Sequence, residues 1–211
     1  EKVEDWDKFD EVTQDIIDNK TTDYPNLRVV VIDTFDQLVD IAKPEVIRLH
    51  NKENPDKPIK TIKKAFGGFM AGEDMALDIA LNRLWELKKV GVNFIAIGHV
   101  KNKTETDLVT GQEYNVLTTD MSTRDFNKLK TKLHFLGVAY IDREIAKQKT
   151  GKKNIVTKQE ETKGIIKSES RKIAFRDDNY SLDSKSRFAN IVDEIPLNSD
   201  EFIKALTDAI K

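Results

Sequence analysis

The chain has 211 residues, 38% of them hydrophobic and 34% charged, with a net charge of −2 and no cysteine. That composition fits a globular protein of one large or two small domains, and it excludes a disulfide framework, a thiolate metal site and a cysteine nucleophile. Apolar runs reach only about six residues, far short of the ~20 that span a bilayer, so no membrane partner is expected and the cytoplasm is the expected compartment.

The first pattern is helical. Trp6, Phe9, Val12 or Thr13, Ile16 and Ile17 recur at helix spacing, and the Thr-Thr-Asp-Tyr-Pro-Asn run at 21–26 ends it. Val29-Val30-Val31-Ile32 then reads as a strand buried on both faces, with Asp33 at its carboxyl end, where parallel α/β sheets bind ligands. Phe35 to Leu49 follow as a helix in which Pro44 predicts a kink or restart, and 51–59 read as a loop. Gly67 to Gly72 suggest a flexible hinge before a strong amphipathic helix from Met75 to Leu87 that ends near Gly91. Val92 to Ile97 form another apolar strand, closed by Gly98-His99. Strand, helices and strand in this order predict a right-handed parallel crossover.

Beyond it the pattern turns β-rich. A hairpin is expected at about 100–119 around Thr110-Gly111, then a helix carrying Phe126, Leu129, Leu133 and Leu136, and a third core strand at Val138 to Ile141. Antiparallel strands are expected over about 138–176, with a lysine-rich turn at Lys149 to Asn154. A last helix spans 199–211, with Ser199 as N-cap and Phe202, Leu206 and Ile210 on one face.

Asp33, with Thr34 beside it, suits a Walker B position, where a carboxylate on a rigid strand end holds water on Mg²⁺. The plainer alternative is an aspartate that caps the next helix. His99, at the end of the adjacent strand, would stand near Asp33 and suits a γ-phosphate sensor, with Gly98 easing the turn; the alternative is a surface histidine. Metal binding through histidine is not expected, because His50 and His134 read as helical and bring no second ligand at useful spacing.

A phosphate loop of the form GxxxxGK[ST] is absent from the sequence. Ala146 to Lys153 approach it but lack the first glycine and the hydroxyl, and they lie between antiparallel strands. Lys149, Lys152 and Lys153 are therefore read as a solvated hairpin tip able to touch a polyanion. Net charge gives no general basic field, but this local patch belongs to a run from Lys147 to Lys172 with nine cationic residues and only Glu160, Glu161 and Glu169 against them. Lys185 and Arg187, two residues apart on an extended segment, point to one side, which suits a polyphosphate contact; ordinary surface charge is the alternative.

VVVIDT, then FIAIGH, then KSRF after a β-rich stretch resemble RecA-like P-loop ATPases. With YNVLTTDMSTRDFNKLK after the hairpin, the chain is similar to the phage nucleotide-binding proteins grouped with RecA-like single-strand annealing proteins. The resemblance covers Arg28 to about Ile195. It implies an α/β fold, a RecA-like core with a mostly parallel central sheet and a β-rich C-terminal half containing hairpins, forming one domain over 1–211. It implies ATP and Mg²⁺ as cofactors, held by Asp33 and Thr34, His99 as sensor, and Lys185 and Arg187 as a finger reaching a neighbouring subunit in a homo-oligomeric ring or filament. The partner implied is single-stranded DNA, in recombination or replication of a phage, hence in the host-cell cytoplasm.

The sequence departs from the family in one large respect. The family's phosphate loop precedes Walker B on its own strand and helix, whereas the residues before Asp33 hold a helix and no glycine. Because the numbering starts at Glu1 and not at methionine, the expectation is a fragment whose loop lies upstream, itself binding ATP weakly or not at all. Asp36 and Glu4 are available for the family's catalytic carboxylate. Two further readings stand beside this one: a non-catalytic interaction module on a degenerate α/β fold, and a metal-dependent hydrolase or nuclease built on Asp33.

Overall fold

A computed structural model of the chain describes residues 2–153, 160–176, 182 and 184–211, without the side chains of 150–153 and 161. These residues fall into two compact units, 1–100 with 119–126 and 101–118 with 127–211.

In the first unit, helix α1 (Trp6–Asp18) starts on Asp5, whose carboxylate accepts the Lys8 N–H at 2.8 Å. Its buried face is Phe9 and Thr13, so Thr13 and not Val12 turns inward. Strand β1 (Val29–Asp33) leads into helix α2 (Phe35–Glu53), which continues through Pro44 without a restart, because the packing of Ala42 and Val46 outweighs the one lost backbone bond. A 3₁₀ turn (Ile62–Gly67) precedes helix α3 (Ala71–Lys89), whose Ala76, Leu77, Ala80, Leu81, Leu84 and Leu87 form a buried stripe against α2. Arg83, with only 10% of its side chain exposed, ties α3 to α1. Its guanidinium donates to the Thr13 hydroxyl at 2.7 Å and to the Asp10 carbonyl at 2.9 Å, and it pairs with the Asp10 carboxylate at 2.8 Å.

Strand β2 (Asn93–Ile97) pairs with β1 in parallel register, Val29 opposite Asn93 and Asp33 opposite Ile97. The crossover pairing is thus as the sequence predicts, but among the described residues the sheet has only these two strands, and the other sheets are mostly antiparallel. A mostly parallel central sheet is therefore not what the described residues form. Nor is β1 buried on both faces: Val29, Val31 and Ile97 are 42%, 57% and 44% exposed on the face that also carries Asp33. The opposite face carries Phe94, which packs edge-on against Trp85 of α3 with ring centroids 5.5 Å apart.

The second unit contains most of the hairpin of β3 (Val100–Thr106) and β4 (Glu113–Thr119), close to the expected bounds. Helix α4 (Thr123–Lys132) stops before His134, which is not helical as expected. Strand β5 (Phe135–Leu136) pairs with β8 (Lys185–Ser186). Strands β6 (Val138–Lys153) and β7 (Glu160–Ala174) form a long antiparallel ribbon, and β9 (Glu194–Pro196) joins β7 only at Lys172 to Ala174. Val138 to Ile141 accordingly belong to this ribbon and not to the parallel sheet. The expected turn at Lys149 to Asn154 is strand as far as Lys153, because the pairing continues to Lys153 opposite Glu160; Asn154 lies outside the described residues.

Phe175, Ile191, Ile195 and Ala205 make the core of the ribbon base, with Phe135 and Phe202 packed on it. Helix α5 (Ser199–Ile210) is capped by Asn198, whose Oδ1 accepts the Glu201 N–H at 2.9 Å, so Ser199 is its first helical residue and not its cap. Phe202 and Leu206 pack inward as expected, while Ile210 stays exposed at the fraying end.

Candidate functional site

The carboxyl edge of the β1–β2 pair gathers Asp33, Thr34, Asp36 and His99 from among the residues that the sequence singles out. Asp33 ends β1 with its side chain exposed, and Thr34, not Asp33, takes the N-cap position of α2, without a side-chain cap bond. The capping alternative for Asp33 is thereby removed. His99 lies two residues beyond Ile97, the partner of Asp33, so the two strand ends are adjacent as expected.

The imidazole itself meets a different carboxylate. His99 Nδ1 is 3.1 Å from Asp36 Oδ2, and an ionised carboxylate can only accept, so the ring carries its proton on Nδ1. Burial would raise the Asp36 carboxyl, but the Thr34 hydroxyl and the His99 imidazole beside it hold it below the ordinary carboxylate range. Thr34 Oγ1 and Asp36 Oδ1 are buried without a hydrogen-bond partner among the described residues, so the hydroxyl acts on Asp36 through proximity and not through a formed bond. Gly98 has an ordinary backbone conformation and open space around a notional Cβ, so the turn into His99 does not depend on glycine. Of the two candidate catalytic carboxylates, Asp36 stands at this edge. Glu4 pairs with Lys2 at 2.6 Å before α1 begins.

Mg²⁺ carried on a nucleotide takes one or two protein oxygens and completes its shell from phosphates and water. Asp33 and the unpartnered oxygens of Thr34 and Asp36 fit that demand. A protein-only cage does not fit, since no group of three or more His, Asp or Glu side chains suited to a metal occurs among the described residues.

Lys185 and Arg187 lie in the second unit. They do share one side, as their spacing requires, but what they meet is the end of α4: Lys185 Nζ donates to the Lys130 carbonyl, and Arg187 Nη2 donates to the Thr131 carbonyl at 2.6 Å. Both cations therefore act as a C-terminal cap, satisfying carbonyls that lack helical partners and complementing the helix dipole. Burial, then the charges of Arg187 and Lys130, push the Lys185 ammonium below its ordinary value. Lys149 lies on β6 and pairs with Glu160 at 2.9 Å, while the side chains of Lys152 and Lys153 lie outside the described residues.

One feature of the first unit escapes the sequence reading. Gly67 to Gly72 are not a loose hinge: Phe66, Gly67, Gly68, Phe69 and Met70 all have positive φ, and the turn is fixed from both sides. His50 Nδ1 accepts the Phe66 N–H at 3.1 Å, Asn51 Oδ1 accepts the Ile59 N–H at 2.7 Å, and the Ala71 N–H donates to the Gly68 carbonyl at 3.0 Å. The turn holds Phe69 fully in solvent at 101% relative exposure, behind exposed Lys57, Lys60, Lys63 and Lys64, with no acidic residue between 57 and 70. Bulky residues in the left-handed region cost of order 1–3 kcal/mol each, so this display is imposed and not incidental. The sequence signal is KKAFGGF, a phenylalanine after two glycines and before the helical pattern begins.

No family model, curated protein or solved structure matches the chain. Among the described residues no helix is long and apolar enough to cross a membrane.

Proposed function

We propose that the chain supplies the Walker B side of a RecA-like, phage-type ATPase that works on single-stranded DNA in recombination or replication. The observation that carries this reading is the parallel β1–β2 pair, with Asp33, Thr34 and the Asp36–His99 pair at its carboxyl edge. In it Asp33 and Thr34 hold Mg²⁺·ATP, His99 reports on the terminal phosphate, and Asp36 fixes the tautomer and direction of the His99 ring. The metal ion, when bound, neutralises charge developing on the phosphates. GxxxxGK[ST] being absent, the phosphate loop has to come from outside these 211 residues. Phe69 with its lysines supports the single-strand partner, since an exposed ring offers a stacking surface and the lysines reach phosphates.

The test is hydrolysis by a protein that joins this chain to its phosphate loop. Asp33→Asn is expected to lower turnover stimulated by single-stranded DNA about 100-fold or more, and unchanged turnover removes Asp33 from the reaction. Arg187→Ala is expected to abolish hydrolysis with nucleotide binding kept, and to be rescued by mixing with the Asp33 variant if Arg187 acts on a neighbouring subunit. One observation favours a second reading, a non-catalytic interaction module: Lys185 and Arg187 already have partners at the end of α4. Lost stability in Arg187→Ala with no change in turnover supports that alternative.

A further inference from the structure

None of the residues assigned to the nucleotide site lies on the β6–β7 ribbon. Beyond Tyr140 and Arg171 no third strand joins it among the described residues, and apart from half-buried Ala146 each of its side chains described there is exposed. The described stretch Ile141 to Lys149 extends about 30 Å, and a two-stranded ribbon with neither face covered is marginal on its own. Its two strands carry nine Lys and Arg against five Asp and Glu, a balance of +4 in a chain of net charge −2, so the remaining residues carry −6. The two strands of the arm are therefore net positive in a chain whose remaining residues are net acidic.

We propose that the β6–β7 ribbon is an arm that enters the major groove of duplex DNA, with Ile145 and Ile166 against the base edges and lysines from both strands on the phosphates. The register sets this arrangement. Ile145 stands opposite Ile166, and Lys147 and Lys149 follow on the same face. Gly164 opposite Lys147 leaves that face low, since a Cβ there would stand 3.2 Å from Ile145 Cγ2. Lys163 projects from the opposite face and Lys167 from the bulge between Ser168 and Ile166, so each strand carries cations whose long stems can turn toward the phosphates on its own side. Lys147 and Lys163 form no ion pair among the described residues. The pairs Lys149–Glu160 and Lys167–Glu144, at 2.9 and 3.5 Å, are exposed and weak enough to exchange for phosphates.

Dimensions favour this occupant. Strands ~4.8 Å apart make a ribbon that the ~12 Å major groove of B-DNA admits, whereas the deep, narrow major groove of duplex RNA does not. A second copy of the arm brings like charge, and lysines on open edges oppose strand pairing. A membrane surface wants a continuous apolar face, while here the single Ile145–Ile166 pair is followed on its face by Lys147 and Lys149.

The experiment is fluorescence anisotropy of a labelled DNA duplex of about two helical turns, titrated with the chain, without nucleotide, from low to physiological salt. Tight binding is expected, with Lys147→Gln/Lys163→Gln weakening it at least tenfold and reducing the slope of log K against log salt by about 1.8, two phosphates at ~0.9 each. Ile145→Asn/Ile166→Asn is expected to weaken binding with the salt slope unchanged. All four side chains are exposed, so thermal melts should match the parent, and a lost fold is recognisable there. Duplex DNA binding that is absent, or indifferent to both double variants, overturns the proposal. So does equal competition by duplex RNA, by single strands or by vesicles containing anionic lipid, or a sedimentation shift showing that the variants lose a dimer and not a ligand. Asp33→Asn should bind duplex like the parent, so the inference stands or falls separately from the ATPase reading.

Discussion

His99 and Asp36, 63 residues apart in sequence, meet at 3.1 Å where the ends of β2 and β1 stand side by side. The carboxylate lies below its ordinary range in the folded chain, through Thr34 and His99 and against the effect of burial. A depressed carboxylate favours folding above its unfolded pKa, and that contribution is lost as pH falls through the folded value. With an ordinary value of 3.8, the Asp36 contribution is complete above about pH 5 and fades below pH 4. Asp36→Asn should therefore flatten the acid limb of the stability curve, measured by urea unfolding at a series of pH values. An acid limb equal to that of the parent means that the pair does not form.

Arg187 and Lys185 close the end of α4, which makes a stability prediction separate from any catalytic role. Arg187→Ala removes one charge-assisted bond to the Thr131 carbonyl at an exposed position and should cost about 0.5–1 kcal/mol. Arg187→Lys should recover part of that through charge alone. Denaturant midpoints with unchanged slope decide it, and a variant as stable as the parent leaves Arg187 without a capping role.

What the sequence reveals here is whatever repeats locally. The leucine and alanine stripe of α3, the apolar runs of β1 and β2 and the two flanks of the β3–β4 hairpin have the period of their element, so their places are readable within a few residues. The width of the sheet is not readable this way. VVVID looks doubly buried, yet Val29 and Val31 face outward because no second layer of described residues covers that side. Pro44 does not restart the helix, because tertiary packing holds α2 through it. Lys185 and Arg187 are legible as a pair of cations on one side, but their partners come from a helix more than fifty residues earlier, which no spacing rule reports. Asp36 was visible only as one of two spare carboxylates, and the contact that distinguishes it from Glu4 is likewise long-range.

At the ribbon base, Tyr140 donates to Glu194 at 2.6 Å, and Lys172 donates to the other oxygen of Glu194 at 2.7 Å while pairing with Asp142 at 2.9 Å. Lys172 first, then Tyr140, hold Glu194 below its ordinary value, whereas burial and Glu194 push the Tyr140 phenol up to about 12. A phenol raised on folding favours the folded state below its unfolded value of 10.0, and the benefit is lost as pH rises toward about 12. Glu194→Gln should bring the Tyr140 transition back toward 10, read as tyrosinate absorbance against a Tyr140→Phe control. A transition that stays near 12 in Glu194→Gln assigns the shift to burial alone.

The turn that displays Phe69 rests on Gly72, at the start of α3. A Cβ at residue 72 would run into the Ile62 carbonyl oxygen and stand 2.9 Å from Ala65 Cβ, so alanine there has to push the 3₁₀ turn away from the helix. Ala65 is fully buried and packs with Ala42, Val46 and Ala76, so the displaced turn disturbs this cluster as well. Overpacking of this kind costs about 1–3 kcal/mol. Gly72→Ala is therefore expected to lower the unfolding midpoint and to raise hydrogen exchange at the Phe66 amide, whose bond to His50 Nδ1 depends on the same placement. Phe69→Gly is the complementary variant. It removes a bulky side chain from φ +48° without touching a buried contact, and relief of left-handed strain of about 1–2 kcal/mol exceeds the ~0.5–1 kcal/mol that glycine loses in chain entropy. The expected outcome is a variant at least as stable as the parent with weaker binding to single strands. A clear loss of stability instead means that the exposed ring has a structural partner.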